Sequence, residues 1–164
     1  MTQEEKLLVK KELSVRAFYG VKAHYQYYDF VGGSERLVYE KDGVVKSVDI
    51  SLRNPVYIDG IHAEVEHTKP YLRSMSKMTV DEANEMFMML FPDYKILSTE
   101  VVDDRVRYYS IDTTTENGSW KVFFFGRIYS LPQLHWLLEH HFDFNGLIEK
   151  GLALEATEDV YKTE

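Results

Sequence analysis

The segment Lys69–Met78, KPYLRSMSKM, holds the densest group of side chains that could bind a ligand. Lys69, Arg73 and Lys77 recur every four residues, and Tyr71 lies between the first two. Cations interleaved with an aromatic ring can hold a phosphate and stack on a base, which predicts a nucleic-acid or nucleotide site. In the alternative, which we favour, this connector is a strap that closes the core. Its inward side chains would be Tyr71, Leu72, Met75 and Met78.

A second group could bind a metal ion. Its members are His135, Glu139, His140, His141 and Asp143. Imidazole and carboxylate groups are zinc ligands, but this spacing matches no established zinc motif. Adjacent helical residues such as His140 and His141 project about 100° apart, which makes a shared ion difficult. Histidines in a last helical turn also interact favourably with its free carbonyls, so a structural role competes with the metal site.

Motifs for nucleophilic or phosphate chemistry are absent from the sequence. The chain has no cysteine, no serine in a G-x-S-x-G elbow and no glycine-rich phosphate loop. The paired carboxylates Asp103–Asp104 and Glu158–Asp159 fall in predicted turns or the tail, where solvated surface is the default. We therefore predict no catalytic residue and no cofactor.

Composition and charge limit the partners. The 164 residues carry a formal net charge of −8, which repels a phosphate backbone unless a local basic patch overrides it. The first residues, MTQEEKLLVKKEL, lack the apolar stretch of a signal peptide. No apolar run is long enough to cross a bilayer. We expect a cytoplasmic protein with no membrane partner, and the oligomeric state is not indicated.

The N-terminal part predicts a helix followed by a β meander. Thr2–Leu13 has a capping threonine and a narrow apolar stripe of Leu7 and Leu8. From 15 to 67 apolar and polar residues alternate, which predicts about four antiparallel strands with one buried face. Turns are predicted at Gly32–Gly33, Asp42–Gly43, Asn54–Pro55 and Asp59–Gly60.

The C-terminal part predicts two helices and about three strands. Capping motifs predict that helices begin after Thr79 and Ser130. In the second of these helices, Trp136 is predicted to lie to the side of the apolar face. Between them, Asn117–Gly118 predicts a hairpin turn. The three consecutive rings of Phe123–Phe125 predict a central strand covered on both faces.

These elements predict an α+β fold. Two antiparallel β meanders, an N-terminal one of about four strands and a C-terminal one of about three, are each backed by a helix in one compact unit. The chain is then a single domain, 1–164, whose subdomains would be 15–67 and 79–164.

Three stretches together resemble a known family. They are LSVRAFYGVKA, KPYLRSMSKMT and HWLLEHHFDFNGLIEKGLALEA. The chain resembles small proteins encoded in prophages and other mobile elements of gut Bacteroidales-type bacteria. The resemblance implies a genomic setting and supplies no catalytic residue. The family pattern has Pro where this chain has Ser74, and serine leaves that backbone freer.

We therefore expect a cytoplasmic accessory protein of a mobile element that acts through contacts with an unidentified protein partner. The first alternative is a nucleic-acid or nucleotide binder that uses Lys69, Tyr71, Arg73 and Lys77. The second is a metal-dependent hydrolase centred on His140 or His141.

Overall fold

The computed structural model describes residues 1–31, 35–49, 55–102, 105–112, 114, 120–125 and 130–161. Helices and antiparallel strands confirm the α+β class. The chain divides into unit 1 (Met1–Arg73 and Asn145–Glu164) and unit 2 (Ser74–Phe144). The units differ from the subdomains 15–67 and 79–164, because the N-terminal residues and the C-terminal segment belong with the first sheet. The single domain 1–164 stays a prediction.

Unit 1 consists of one α-helix and a sheet. Its elements are α1 (Gln3–Arg16), β1 (Lys22–Val31), β2 (Glu35–Val48), β3 (Pro55–Ile58), β4 (Ile61–Glu64), β5 (Thr68–Ser74) and, near the C-terminus, β10 (Leu154–Glu155). The strand order is β10-β5-β1-β2-β3-β4. Strands β1 to β4 form the predicted antiparallel meander. β5 adds antiparallel to β1, and β10 adds parallel to β5.

The predicted alternation places the core of unit 1. Val21, Ala23 and Tyr25 are fully buried, while the residues between them lie half exposed. α1 begins with a capping box: Glu5 N–H donates to Thr2 Oγ1 at 3.2 Å, and Thr2 N–H donates to Glu5 Oε2 at 2.6 Å. The helix buries Val9 and Leu13, together with half-buried Leu8. The predicted stripe of Leu7 and Leu8 is divided between two sides of the helix, because Leu7 is exposed on the side opposite Val9 and Leu13.

Asp42–Gly43 is not a turn, which corrects the sequence prediction. Both residues lie inside β2, where Ala23 of β1 faces Gly43. A Cβ on Gly43 would come within 2.6 Å of Asp59 Oδ2 and of Ile58 Cγ2, so the glycine serves close packing. The Asp59–Gly60 turn between β3 and β4 is confirmed, with φ of 47° and 85°. The predicted Gly32–Gly33 and Asn117–Gly118 turns lie outside the described residues.

Unit 2 packs two helices with a three-stranded sheet. Its main elements are α2 (Val80–Leu90), β6 (Tyr94–Val102), β7 (Arg105–Asp112), β8 (Trp120–Phe125), α3 (Leu131–Glu139) and the short β9 (Phe142–Asp143). The sheet order is β6-β7-β8, all antiparallel. In the described sheet β8 is therefore at an edge, and the central strand is β7. Trp136 is buried rather than lateral, because its ring stacks with that of Phe142 in the core of unit 2.

The connector 69–78 is a strand for half of its length. β5 ends at Ser74, and a 3₁₀ turn (Met75–Lys77) follows it. Leu72 is buried in the core of unit 1, and Met78 in that of unit 2. Tyr71 and Met75 are half buried. The inward role predicted for Leu72 and Met78 is thus confirmed. For Tyr71 it was wrong, because up to Ser74 the segment is a strand, in which alternation turns Tyr71 to the face opposite Leu72.

Candidate functional site

The outer face of the unit 1 sheet carries three of the four residues predicted to bind a nucleic acid. In β5 Thr68, Pro70 and Leu72 are buried, and alternation turns Lys69, Tyr71 and Arg73 to the other face, where they are half buried. The fourth, Lys77, lies beyond the end of the strand, in unit 2, and is exposed. The regular four-residue spacing therefore does not produce one row of cations.

Asp42 organises the polar groups on this outer face. Tyr71 Oη donates a hydrogen bond to Asp42 Oδ1 at 3.0 Å. His24 Nδ1 lies 2.9 Å from the same oxygen, and His24 faces Lys69 across the β1–β5 ladder. Burial, followed by the hydrogen bond to Asp42 and its negative charge, raises the pKa of Tyr71 above its usual range. The phenol is thus held protonated and donating.

Carboxylates beside the cations reduce the attraction of this face for phosphate. Asp42 accepts a hydrogen bond from Tyr71, and Glu40 Oε1 accepts one from Gln26 Nε2 at 2.7 Å on the same side of the sheet. These two carboxylates are held on the face that carries the cations, and their negative charges oppose an incoming phosphate. The arrangement fits a hydrogen-bonded sheet surface better than a nucleotide pocket.

The C-terminal segment is attached where the β1–β5 ladder ends. The last paired residues are Ala23 and Pro70. Tyr161 Oη donates to the carbonyl oxygen of Tyr71 at 2.6 Å and accepts from the backbone N–H of Lys22 at 3.3 Å. The phenol therefore bridges the two strands where a direct ladder bond would otherwise lie.

Four tyrosines should ionise late in an alkaline titration. Burial is the main cause that raises the pKa of Tyr25, Tyr71, Tyr108 and Tyr161. A raised folded-state pKa stabilises the folded protein below the unfolded value of about 10, and this contribution is lost as pH rises further. We expect phenolate absorbance in two phases, the second coinciding with unfolding. Tyr108→Phe should reduce the second phase, and a single phase at the ordinary pKa would contradict this prediction.

The histidine-rich end of α3 has structural contacts. His140 stacks on Trp136, with ring centroids 3.9 Å apart, and its Nδ1 lies 2.9 Å from the Trp136 carbonyl oxygen. His141 is buried with a positive φ of 57°. His135 and Glu139 are exposed, and Asp143 is buried. Metal binding by this group stays a prediction.

One trio in the described part of the chain meets the distance condition for a metal site. Ligand atoms of Glu64, Glu66 and His67 lie within 4.8 Å of one another, and none of these residues was predicted. Lys6 forms an ion pair with Glu66, so an ammonium group already neutralises part of this charge. The hydrogen bond from Lys6, followed by the positive charge of Lys6, lowers the pKa of Glu66.

A second row of exposed side chains runs along α1 and into the 3₁₀ turn after it, and sequence reasoning missed it. Its members, which we call the α1 stripe, are the apolar residues Leu7, Val15 and Phe18, with Lys11 among them. Leu7 is 48% exposed, Val15 47% and Phe18 92%. At 100° per residue, Leu7, Lys11 and Val15 lie within about 80° of one another. Phe18 follows one turn later, in the 3₁₀ segment Ala17–Tyr19. The four-residue spacing of Leu7, Lys11 and Val15 was a usable sequence signal.

Comparisons of the chain with protein-family models, with curated proteins and with solved structures returned no match. Among the described residues, no helix has the length and apolar character needed to span a membrane.

Proposed function

We propose that this protein is a non-enzymatic accessory protein of a mobile element that acts in the cytoplasm by binding another protein. The observation that carries the proposal is the α1 stripe, in which Phe18 is 92% exposed. Single exposed apolar residues are ordinary, but several along one side of a helix are typical of an interaction surface. The mobile-element setting and the cytoplasmic location rest on the family resemblance and the composition.

Site-specific crosslinking tests this proposal. A photoreactive amino acid replaces Phe18 in the full chain, expressed in a bacterial host, and a matched chain carries it at Leu131, which is 64% exposed in unit 2. We expect a defined protein adduct from position 18 alone. Excess unlabelled wild-type chain should suppress the adduct, and excess Phe18→Ser chain should not.

Two results would contradict the proposal. Identical adducts from both positions would show that exposure alone explains the crosslinks. A salt-sensitive complex with nucleic acid that is abolished by Arg73→Glu, without a protein adduct at position 18, would favour the alternative function.

A further inference from the structure

We propose that the α1 stripe binds an acidic amphipathic helix of another protein. This inference rests on the proposed function and specifies the chemistry of the partner. The stripe lies opposite the side of α1 that buries Val9 and Leu13. The helix therefore has apolar side chains on two faces, and only one of them is covered within the described residues.

The spacing of the stripe matches a helical partner. From Leu7 the other members follow at four, eight and eleven residues. Rows with a four-residue repeat form the ridges by which helices pack together, and exposed anchors at such intervals are typical of helix recognition. Leu7 and Phe18 are about 16 Å apart along the axis, which about three turns of a partner helix would cover.

The charges beside the stripe favour an acidic partner. Two other cations of this helix are already paired, Lys6 with Glu66 and Arg16 with Glu12. In contrast, Lys11 within the stripe and Lys10 beside it make no ion pair with any described residue, and they outnumber Glu4, the acidic residue of α1 on this side. Unpaired cations among apolar anchors attract carboxylates and repel a basic surface.

A second copy of the chain fits the stripe poorly. When two copies pack antiparallel about a two-fold axis so that Leu7 meets Val15, Lys11 lies opposite Lys11. The same register places Glu4 opposite Phe18. Facing like charges are unfavourable. An anionic bilayer fits poorly as well, because anionic lipids are recognised by clusters of about four to eight cations, whereas Lys10 and Lys11 are only two.

Two synthetic helical peptides provide the test. Both carry one leucine-rich face; glutamates flank that face in the acidic peptide, and lysines flank it in the basic peptide. Each is titrated into the full chain and followed by amide chemical shifts. We expect the acidic peptide alone to bind, with shifts centred on α1.

Variants of the chain should change this binding in defined directions. Phe18→Ser removes a large apolar contact and should lower the affinity for the acidic peptide about tenfold. Lys11→Glu should lower the affinity for the acidic peptide and allow the basic peptide to bind. Leu131→Ser is the matched control and should change neither, and circular dichroism confirms that each variant is folded.

Several outcomes would overturn the inference. Failure of the acidic peptide to bind, equal binding of both peptides, or indifference to Phe18→Ser would each exclude the proposed partner. Sedimentation showing a dimer that Phe18→Ser dissociates would assign the stripe to a second copy. Binding to anionic lipid vesicles that Phe18→Ser abolishes would assign it to a bilayer. A protein adduct at position 18 without peptide binding would refute only the partner chemistry, whereas loss of both would refute the proposed function too.

Discussion

Replacing Glu12 by glutamine should lower the free energy of unfolding by about 3–5 kcal/mol, the usual cost of breaking a buried ion pair. The Arg16 side chain is 0% exposed, and its Nε donates to Glu12 Oε2 at 2.9 Å. The other carboxylate oxygen accepts from Asn145 Nδ2 at 2.5 Å. A neutral glutamine removes the negative charge of Glu12 from beside the buried Arg16 guanidinium, and the loss of this ion pair inside unit 1 is the source of the large effect.

Urea unfolding of the full chain measures this change. The double variant Glu12→Leu with Arg16→Met should recover most of the stability, because replacing both members of a buried pair by apolar side chains is often neutral. Glu4→Gln, at an exposed position of the same helix, is the matched control and should change stability little. A loss below about 1 kcal/mol for Glu12→Gln would show that the pair is effectively solvated.

Phe87→Ala should destabilise unit 2 by about 3–5 kcal/mol, the range for removing a buried phenylalanine. The side chain is fully buried at the centre of an aromatic cluster. Its ring centroid lies 4.5 Å from that of Tyr108, 5.2 Å from that of Phe91 and 5.3 Å from that of Phe123. The truncation removes all three ring contacts and leaves a cavity.

Amide hydrogen exchange locates this effect. Protection should fall across α2 and β7, because both elements contribute to the same core. Met88→Ala, on the exposed side of α2, is the matched control and should leave protection nearly unchanged. Unchanged exchange in β7 of the Phe87→Ala chain would contradict the assignment of this core.

Features set by local chemistry were predictable from the sequence. Thr2 and Thr79 each begin a helix through reciprocal bonds with a glutamate three residues later, and all the atoms involved lie within one turn. The alternation of Val21, Ala23 and Tyr25 likewise defines the buried side of β1, because side chains in a strand alternate.

Features set by pairing between distant segments were not predictable. β10 joins β5 from about eighty residues away, and no local pattern of Leu154 and Glu155 indicates its partner. Asp42–Gly43 matches a turn motif, but the constraint on Gly43 comes from Ile58, the last residue of β3, and from Asp59 in the turn that follows it. Tertiary packing overrode the local turn preference there.

The side on which each cation of the connector lies depends on its backbone conformation. A four-residue spacing would place Lys69, Arg73 and Lys77 on one side of a helix, but the backbone is a strand up to Ser74. Tyr71 therefore shares the face of Lys69 and Arg73, and Lys77 does not. The α1 stripe was overlooked because Leu7 was grouped with Leu8 in a single narrow apolar stripe. Val9 and Leu13, with half-buried Leu8, form the core side of the helix.

The discontinuous course of unit 1 has a consequence for biosynthesis. Ser74–Phe144, the whole of unit 2, is translated between the two parts of unit 1. When Arg73 leaves the ribosome, the nascent sheet still lacks β10 and the core residue Leu147. It also lacks Asn145, whose side chain donates a hydrogen bond to Glu12. Unit 2 is therefore synthesised completely before unit 1 is, and the core position of Leu147 in unit 1 can be filled only after unit 2 has been translated.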